Sequence, residues 1–349
     1  MRAGGDLLTR VHCRGPSYLL ALPDENEEYM KTNTASRTAQ YMALYRALET
    51  RRPLGKRLFT DPYAIRFLDR GFRLACRISS LPLAGRIFYR IIQRRIPGSL
   101  ASGLGRTRYI DDLLEKAIKG GVRQVIILGA GFDMRAMRLD CLRRVQVIEV
   151  DHPDTARSKL RALRKISGDA DVGGGVGVDG GVGVDGETRP GADGGLAIGN
   201  TRYLQVDLNE RDLETFFREQ GIDLTIPTTL IWEGVTNYLQ RDAIDKTFAV
   251  AGKFASGSSV IFTYIDKKVL ESPASFYGAE KLLKDLDELE EKWTFGFHPP
   301  ELPGYLRDFG LELMEDSGAA DYRERYLPER RSILKGYEFY RVAMARKIG

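Results

Sequence analysis

A chain of 349 residues is long enough to bury a full-sized core, as one large domain or two small ones. Hydrophobic residues at 43% and charged residues at 29% are an ordinary globular balance, and no apolar run approaches the ~18–20 residues needed to cross a bilayer. The formal charge of +5 is uneven: residues 168–195 carry a net −5, leaving about +10 elsewhere, yet no signature of RNA or DNA binding accompanies it and no nucleic-acid partner is expected.

Residues 1–33 lack sustained periodicity and read as a flexible extension. Their one apolar patch, Tyr18 to Leu22, is too short and too badly flanked for a secretory signal. Cys13, Cys76 and Cys141 are scattered, odd in number and without metal-ligand spacing. They read as reduced thiols of a cytoplasmic, soluble protein, with no metal site expected.

A helical pattern runs from Thr34 to Thr50. Phe59-Thr-Asp-Pro-Tyr63 then supplies a turn, in which Asp61 caps a second helix and Pro62 suits its first position. From Gly71 to Pro97 the chain is amphipathic and basic. Arg86, Arg90 and Arg94 recur every four residues beside Ile87, Phe88, Ile91 and Ile92. Three readings fit: a helix packed on the core, a lid over a site, or a membrane-surface element. The whole of 34–105 reads as a helical cap.

From Arg106 the pattern becomes α/β. A helix to Gly120 leads into Gln124-Val-Ile-Ile-Leu128, an apolar run suited to a central parallel strand. Gly129-Ala-Gly-Phe-Asp133, a further helix and Val145-Gln-Val-Ile-Glu-Val-Asp151 complete a βαβ unit. Residues 168–195 interrupt it with two tandem Gly-Gly-Val-Gly-Val-Asp copies, and twelve of the 28 residues are glycine. Two copies are too few to stack into a calcium-binding solenoid, and the stretch reads as a disordered insert. Strands follow at Arg202–Val206, Thr228–Glu233 and Ser258–Ile265. The tail supplies two antiparallel ones, Leu311–Met314 and Tyr337–Ala345. Together these describe an open, mostly parallel sheet of about seven strands with helices on both faces, in one domain spanning 34–349.

The chemistry lies at the first strand end. Gly129 and Gly131 let backbone pass close to a ligand, with free N–H groups at the helix that follows. The next strand ends in Glu149 and Asp151, where a carboxylate accepts from both hydroxyls of a ribose. A dinucleotide turn needs a third glycine, but Met134 stands there, and Asp133 sets an anion where pyrophosphate would lie. S-adenosylmethionine carries no phosphate and two cationic groups, so methyl transfer fits better than the hydride transfer of an NAD-dependent oxidoreductase. A non-catalytic protein that only binds the cofactor is the other alternative.

Taken with Tyr45-Arg-Ala-Leu-Glu49, Phe59-Thr-Asp-Pro-Tyr-Ala64, Arg106-Thr-Arg-Tyr-Ile-Asp-Asp112, Leu128-Gly-Ala-Gly-Phe-Asp-Met-Arg135, Glu149-Val-Asp-His-Pro153, Val206-Asp-Leu208 and Trp232-Glu-Gly-Val-Thr-Asn-Tyr-Leu239, the chain resembles the leucine carboxyl methyltransferase family over roughly 34–345. The acidic glycine insert is its main departure. The resemblance implies a Rossmann-like class I methyltransferase fold and S-adenosyl-L-methionine as cofactor. The turn Gly129, Ala130 and Gly131 would hold the cofactor, with Asp151, together with Glu149, on the ribose. Asp207 and Leu208 would flank the adenine, Arg106 pair with the methionyl carboxylate, and Glu233 lie near the methionyl end. Arg46 is the candidate for a basic contact from the N-terminal helices. It further implies O-methylation of a carboxylate or hydroxyl, on a small molecule or a protein C-terminus, with no catalytic base identified.

Overall fold

The fold is described from a computed structural model covering residues 37–170, 189–190, 196–207, 211–289, 291–328 and 335–349. Five segments form the centre of the sheet: β1 (Gln124–Leu128), β2 (Gln146–Asp151), β5 (Thr201–Gln205), β6 (Thr228–Trp232) and β7 (Ser259–Ile265). They run parallel in the order β5-β2-β1-β6-β7. β9 (Tyr340–Lys347) adds antiparallel to β7, and β8 (Leu311–Ser317) antiparallel to β9.

Those seven strands are the ones expected from the apolar runs. Two more stand at the opposite edge, where β4 (Leu196–Ile198) pairs antiparallel with β5 and β3 (Arg189–Pro190) pairs with β4. The described sheet therefore has nine strands. Arg189 and Pro190 fall inside the stretch read as a disordered insert, as do residues 168–170, which continue the helix Pro153–Ala170. Residues 171–188 and 191–195 lie outside the described residues, as do residues 1–36.

Side-chain alternation along the strands divides the core. Ile126, Leu128, Ile148, Val150, Leu230, Trp232, Val260 and Phe262 face one side, packed with Phe216, Phe217, Ile244 and Phe248. Val125, Ile127, Val147, Ile231 and Ile261 face the other, against Ile110, Leu113 and Leu114. Period-two alternation on a sheet covered on both faces gives strands whose successive apolar side chains are buried on either side.

The cap comprises α1 (Arg37–Thr50), α2 (Arg70–Ile78) and α3 (Pro82–Arg95), leading into α4 (Ser99–Lys119). Gly71–Pro97 is thus two helices rather than one stretch. Asp69 caps the first through the Phe72 N–H, and Pro82 opens the second after the turn at Ser79 to Leu81. The turn at Phe59–Tyr63 leads into a 3-10 helix, Ala64–Phe67, with Asp61 accepting from the Tyr63 and Ala64 N–H groups. Ala43, Leu44, Leu48, Phe67, Leu68, Cys76 and Ile92 bind the cap to Leu100, Leu104, Phe132 and Met134. Ala35–Gly349 forms one compact unit. No helix among the described residues is long and apolar enough to cross a membrane.

Candidate active site

The order of strands reverses between β1 and β6, which places a crevice at their carboxyl ends. A cavity of about 1220 Å3 opens there. The turn after β1, the end of β2, the residues after β5 and those after β6 all line it, and α1, α3 and α4 supply the wall above.

The turn itself needs glycine. Gly129 and Gly131 have φ of 62° and 48°, in the left-handed region, and a Cβ on Gly129 would lie 2.4 Å from Val235 Cγ2. Asp151 closes the turn from the neighbouring strand: one carboxylate oxygen accepts from the Gly131 N–H at 2.6 Å, the other from the His152 N–H at 2.7 Å. Burial raises its pKa, and those two N–H groups oppose the rise. Each oxygen retains acceptor capacity towards the cavity.

Glu149 is placed differently from the sequence expectation. It lines no part of the cavity. Buried beneath the turn, its carboxylate takes the Lys159 ammonium of α6 (Pro153–Ala170) at 2.5 Å, and the same lysine donates to the Asp133 carbonyl oxygen. Burial pushes the Glu149 carboxyl up to about 7 against the pull of Lys159. A buried acid within an apolar strand requires a cation, and that requirement was the signal for Lys159.

Arg106, Glu233, Ala130 and Asp207 all line the cavity. Arg106 lies within α4, its guanidinium 4.8 Å from the Tyr340 ring centroid and its Nε donating to Glu233 at 2.8 Å. The second Glu233 oxygen accepts from Arg135 at 2.7 Å. Arg135 also donates to Asp133 at 2.5 Å and to Asp111 at 2.7 Å, and Asp111 takes both terminal nitrogens of Arg138 at 2.7 Å. Three arginines and three carboxylates thus form one chain of charge at the cavity floor. Burial opposes the charge on Glu233, but Arg135 and Arg106 hold its carboxyl below the usual range. Asp133 is likewise held down, to about 2, by Arg135, Lys159 and Arg138 despite its burial.

Asp111, Arg135 and Arg138 were not singled out as site residues. Apart from Asp133, two residues from Arg135, their partners lie 24 to 98 residues away, beyond any local spacing. Arg46 donates to Asp61 at 2.8 Å and to the Phe132 carbonyl at 2.5 Å, so it ties the cap to the glycine turn. Asp207 stands 3.9 Å from His152 Nε2 at the far end of the cavity. Leu208 lies outside the described residues.

The remaining wall includes the aromatic side chains Tyr41, Tyr45, Tyr238, Trp293, Tyr337 and Tyr340, beside a charged helix face with Glu280, Lys281, Lys284, Asp285 and Glu288. The Tyr45 hydroxyl meets Ser99 Oγ at 2.6 Å. Burial raises the phenol pKa of Tyr45 and Tyr337, and pushes that of Tyr238 up to about 12.

Comparison with known proteins agrees with this geometry. The leucine carboxyl methyltransferase family profile matches residues 39–251. A protein of Streptomyces coelicolor, named by inference an S-adenosyl-L-methionine-dependent methyltransferase, is 32% identical over 246 residues, covering 70% of this chain and 74% of its own. A Streptomyces avermitilis protein named in the same way is 32% identical over 251 residues, 72% of this chain and 76% of its own. Among solved structures, one from Thermobifida fusca, described by inference as a methyltransferase, superposes with a TM-score of 0.51 at 16% identity, covering 88% of this chain and 94% of that one. At that identity it bears on the fold alone. The glycine turn closed by Asp151, the crevice at the sheet's reversal and the profile match agree: this S-adenosylmethionine-dependent methyltransferase belongs to the leucine carboxyl methyltransferase family.

Proposed function

We propose that the enzyme methylates an oxygen, that of a carboxylate or hydroxyl on a small molecule or a protein C-terminus, with a carboxylate the better fit. The observation carrying this reading is that the tyrosines and the tryptophan of the wall offer protons and take none. Tyr45, Tyr238 and Tyr337 are held protonated by burial, and the Trp293 indole is a donor only. Glu233 is committed to two arginines and held ionised, so it makes a poor base. Lys281 and Lys284, which also line the cavity, pair with Asp285 and Glu288 on their own helix. Such a wall suits an acceptor that arrives already anionic.

Bound S-adenosylmethionine supplies the methyl carbon on its sulfonium. Asp151, facing the cavity with lone pairs to spare, is suited to the two ribose hydroxyls. Asp207 is suited to accept from the adenine amine. Arg106, with Nε fixed by Glu233, presents its terminal nitrogens to the methionyl carboxylate. The protein's remaining contribution is to align the acceptor and exclude water.

Calorimetric titration of S-adenosylmethionine into wild type and Asp151→Ala tests the cofactor contact. Loss of a charged hydrogen-bonding group of about 1.5–3 kcal/mol corresponds to a fall of about ten- to a hundredfold in affinity. Incubation with methyl-tritiated cofactor and panels of carboxylic acids and phenols tests the acceptor. Methyl esters release volatile methanol in mild alkali, whereas methyl ethers do not. Alkali-stable label alone would overturn the preference for carboxylates, and label on nitrogen or carbon would overturn O-methylation.

A further inference from the structure

The cap carries a surface that the cofactor cavity does not use. Residues 70–97 hold seven arginines and no acidic residue. On α3 the outward positions form two adjoining stripes four residues apart, one of Leu83, Ile87 and Ile91, the other of Arg86, Arg90 and Arg94, all exposed. Leu74 and Ile78 of α2, and Leu81 in the turn between the helices, extend the apolar stripe, and Arg70, Arg73 and Arg77 extend the basic one. Leu81 and Leu83 are 62% and 71% exposed, a heavy exposure for leucines when the opposite faces of the same helices bury Cys76 and Ile92 in the core. Among the described residues, no acidic side chain forms an ion pair with any of the seven arginines.

We propose that the hairpin of α2 and α3 is a docking surface for an anionic lipid bilayer. The leucines and isoleucines would enter the boundary of headgroups and acyl chains, and the arginine stripe beside them would meet the phosphates. The pattern of charge selects this partner: a protein groove takes the apolar stripe but gives no reason for uniform arginine beside it, and a nucleic acid takes the arginines but leaves the apolar stripe unsatisfied. The last turn of α3 ties the surface to the site, because Arg95 and Ile96 line the cavity. Docking by this face brings the cavity wall to the lipid surface, where an amphiphilic acceptor is concentrated.

Co-sedimentation of the full-length protein with vesicles of phosphatidylcholine alone, or with an equal part of phosphatidylglycerol, tests the proposal. The anionic vesicles are expected to bind about a hundredfold more tightly, since each arginine near the surface adds roughly fivefold. Raised salt should erode the preference. The double change Leu81→Ser with Leu83→Ser, both at exposed positions, should weaken binding by about tenfold or more while thermal unfolding and cofactor binding stay as in wild type. Arg86→Gln with Arg90→Gln should cut the preference for phosphatidylglycerol by about twenty-fivefold. Equal binding to both vesicles, or none, overturns the proposal. So does a surface that loses binding with the arginine changes but not with the leucine changes, which marks a general polyanion site such as one for RNA.

Discussion

At the scale of single residues, two acids two positions apart on β2 have separate tasks. Asp151 faces the cavity and closes the glycine turn, whereas Glu149 is sealed beneath it with Lys159. Glu149→Gln should therefore leave the affinity for S-adenosylmethionine within about twofold of wild type, against the loss expected for Asp151→Ala. Its mark should appear in stability. The folded Glu149 carboxyl sits at about 7, above the ordinary 4.5, so the folded state holds that proton more tightly than the unfolded chain. Folding stability should then fall as pH rises from the ordinary carboxylate range through about 7, and Glu149→Gln should flatten that part of the profile. Urea unfolding at closely spaced pH values reads the slope, and equal slopes for the two proteins would show Glu149 ionised throughout. The sequence marked both acids as ribose ligands because strand spacing cannot say which strand position is roofed by a helix. Lys159 is ten residues downstream of Glu149, and only the return of α6 over β2 brings them together.

At the scale of elements, the turn between β1 and the short helix α5 (Arg135–Arg138) is the piece that tolerates least change. Gly129→Ala incurs two costs: a left-handed backbone at a residue with a Cβ, about 1–2 kcal/mol, and a contact of 2.4 Å with Val235. Adding Val235→Ala removes the contact and leaves the backbone term. The double variant should thus recover part of the stability lost by Gly129→Ala, measured by urea unfolding, and full recovery would mean the left-handed turn is not required. This element was legible because a glycine pair between apolar strands is a local signal. The central strands were legible for the same reason, being buried along their whole length around a continuous apolar run. The pairing of β3 with β4 was not: Arg189-Pro190 carries no strand signal, and its place comes from β4 and β5 beside it. In the cap, helix identity was readable from the apolar spacing, but the break at Ser79 to Leu81 rests on Pro82, which a continuous amphipathic reading runs through.

At the scale of the whole molecule, the cavity is walled by two groups of elements that sequence patterns describe separately. Arg46 fastens the cap to the glycine turn through Asp61 and the Phe132 carbonyl, and Arg106 of α4 fastens to Glu233 beyond β6. Each fastening crosses between segments far apart in the chain, which is why the helical cap and the α/β core were readable as blocks while the contacts joining them were not. A ligand filling such a cavity touches both blocks, so its binding energy is also energy of folding. At a concentration a hundred times its dissociation constant, a ligand that binds only the folded state adds about 2.7 kcal/mol. Scaled by the unfolding entropy of a chain of 349 residues, this corresponds to a rise in Tm of about 4 °C. S-adenosylhomocysteine should produce that rise in differential scanning fluorimetry of wild type. Glu149→Gln should keep the full rise from its own starting Tm, and Asp151→Ala at the same ligand concentration should lose about half of it or more. The three proteins together separate a cavity wall from a structural pair: a rise lost equally in both variants would mean that the floor beneath the turn and the turn itself act as one unit, and that the division of labour along β2 is not real.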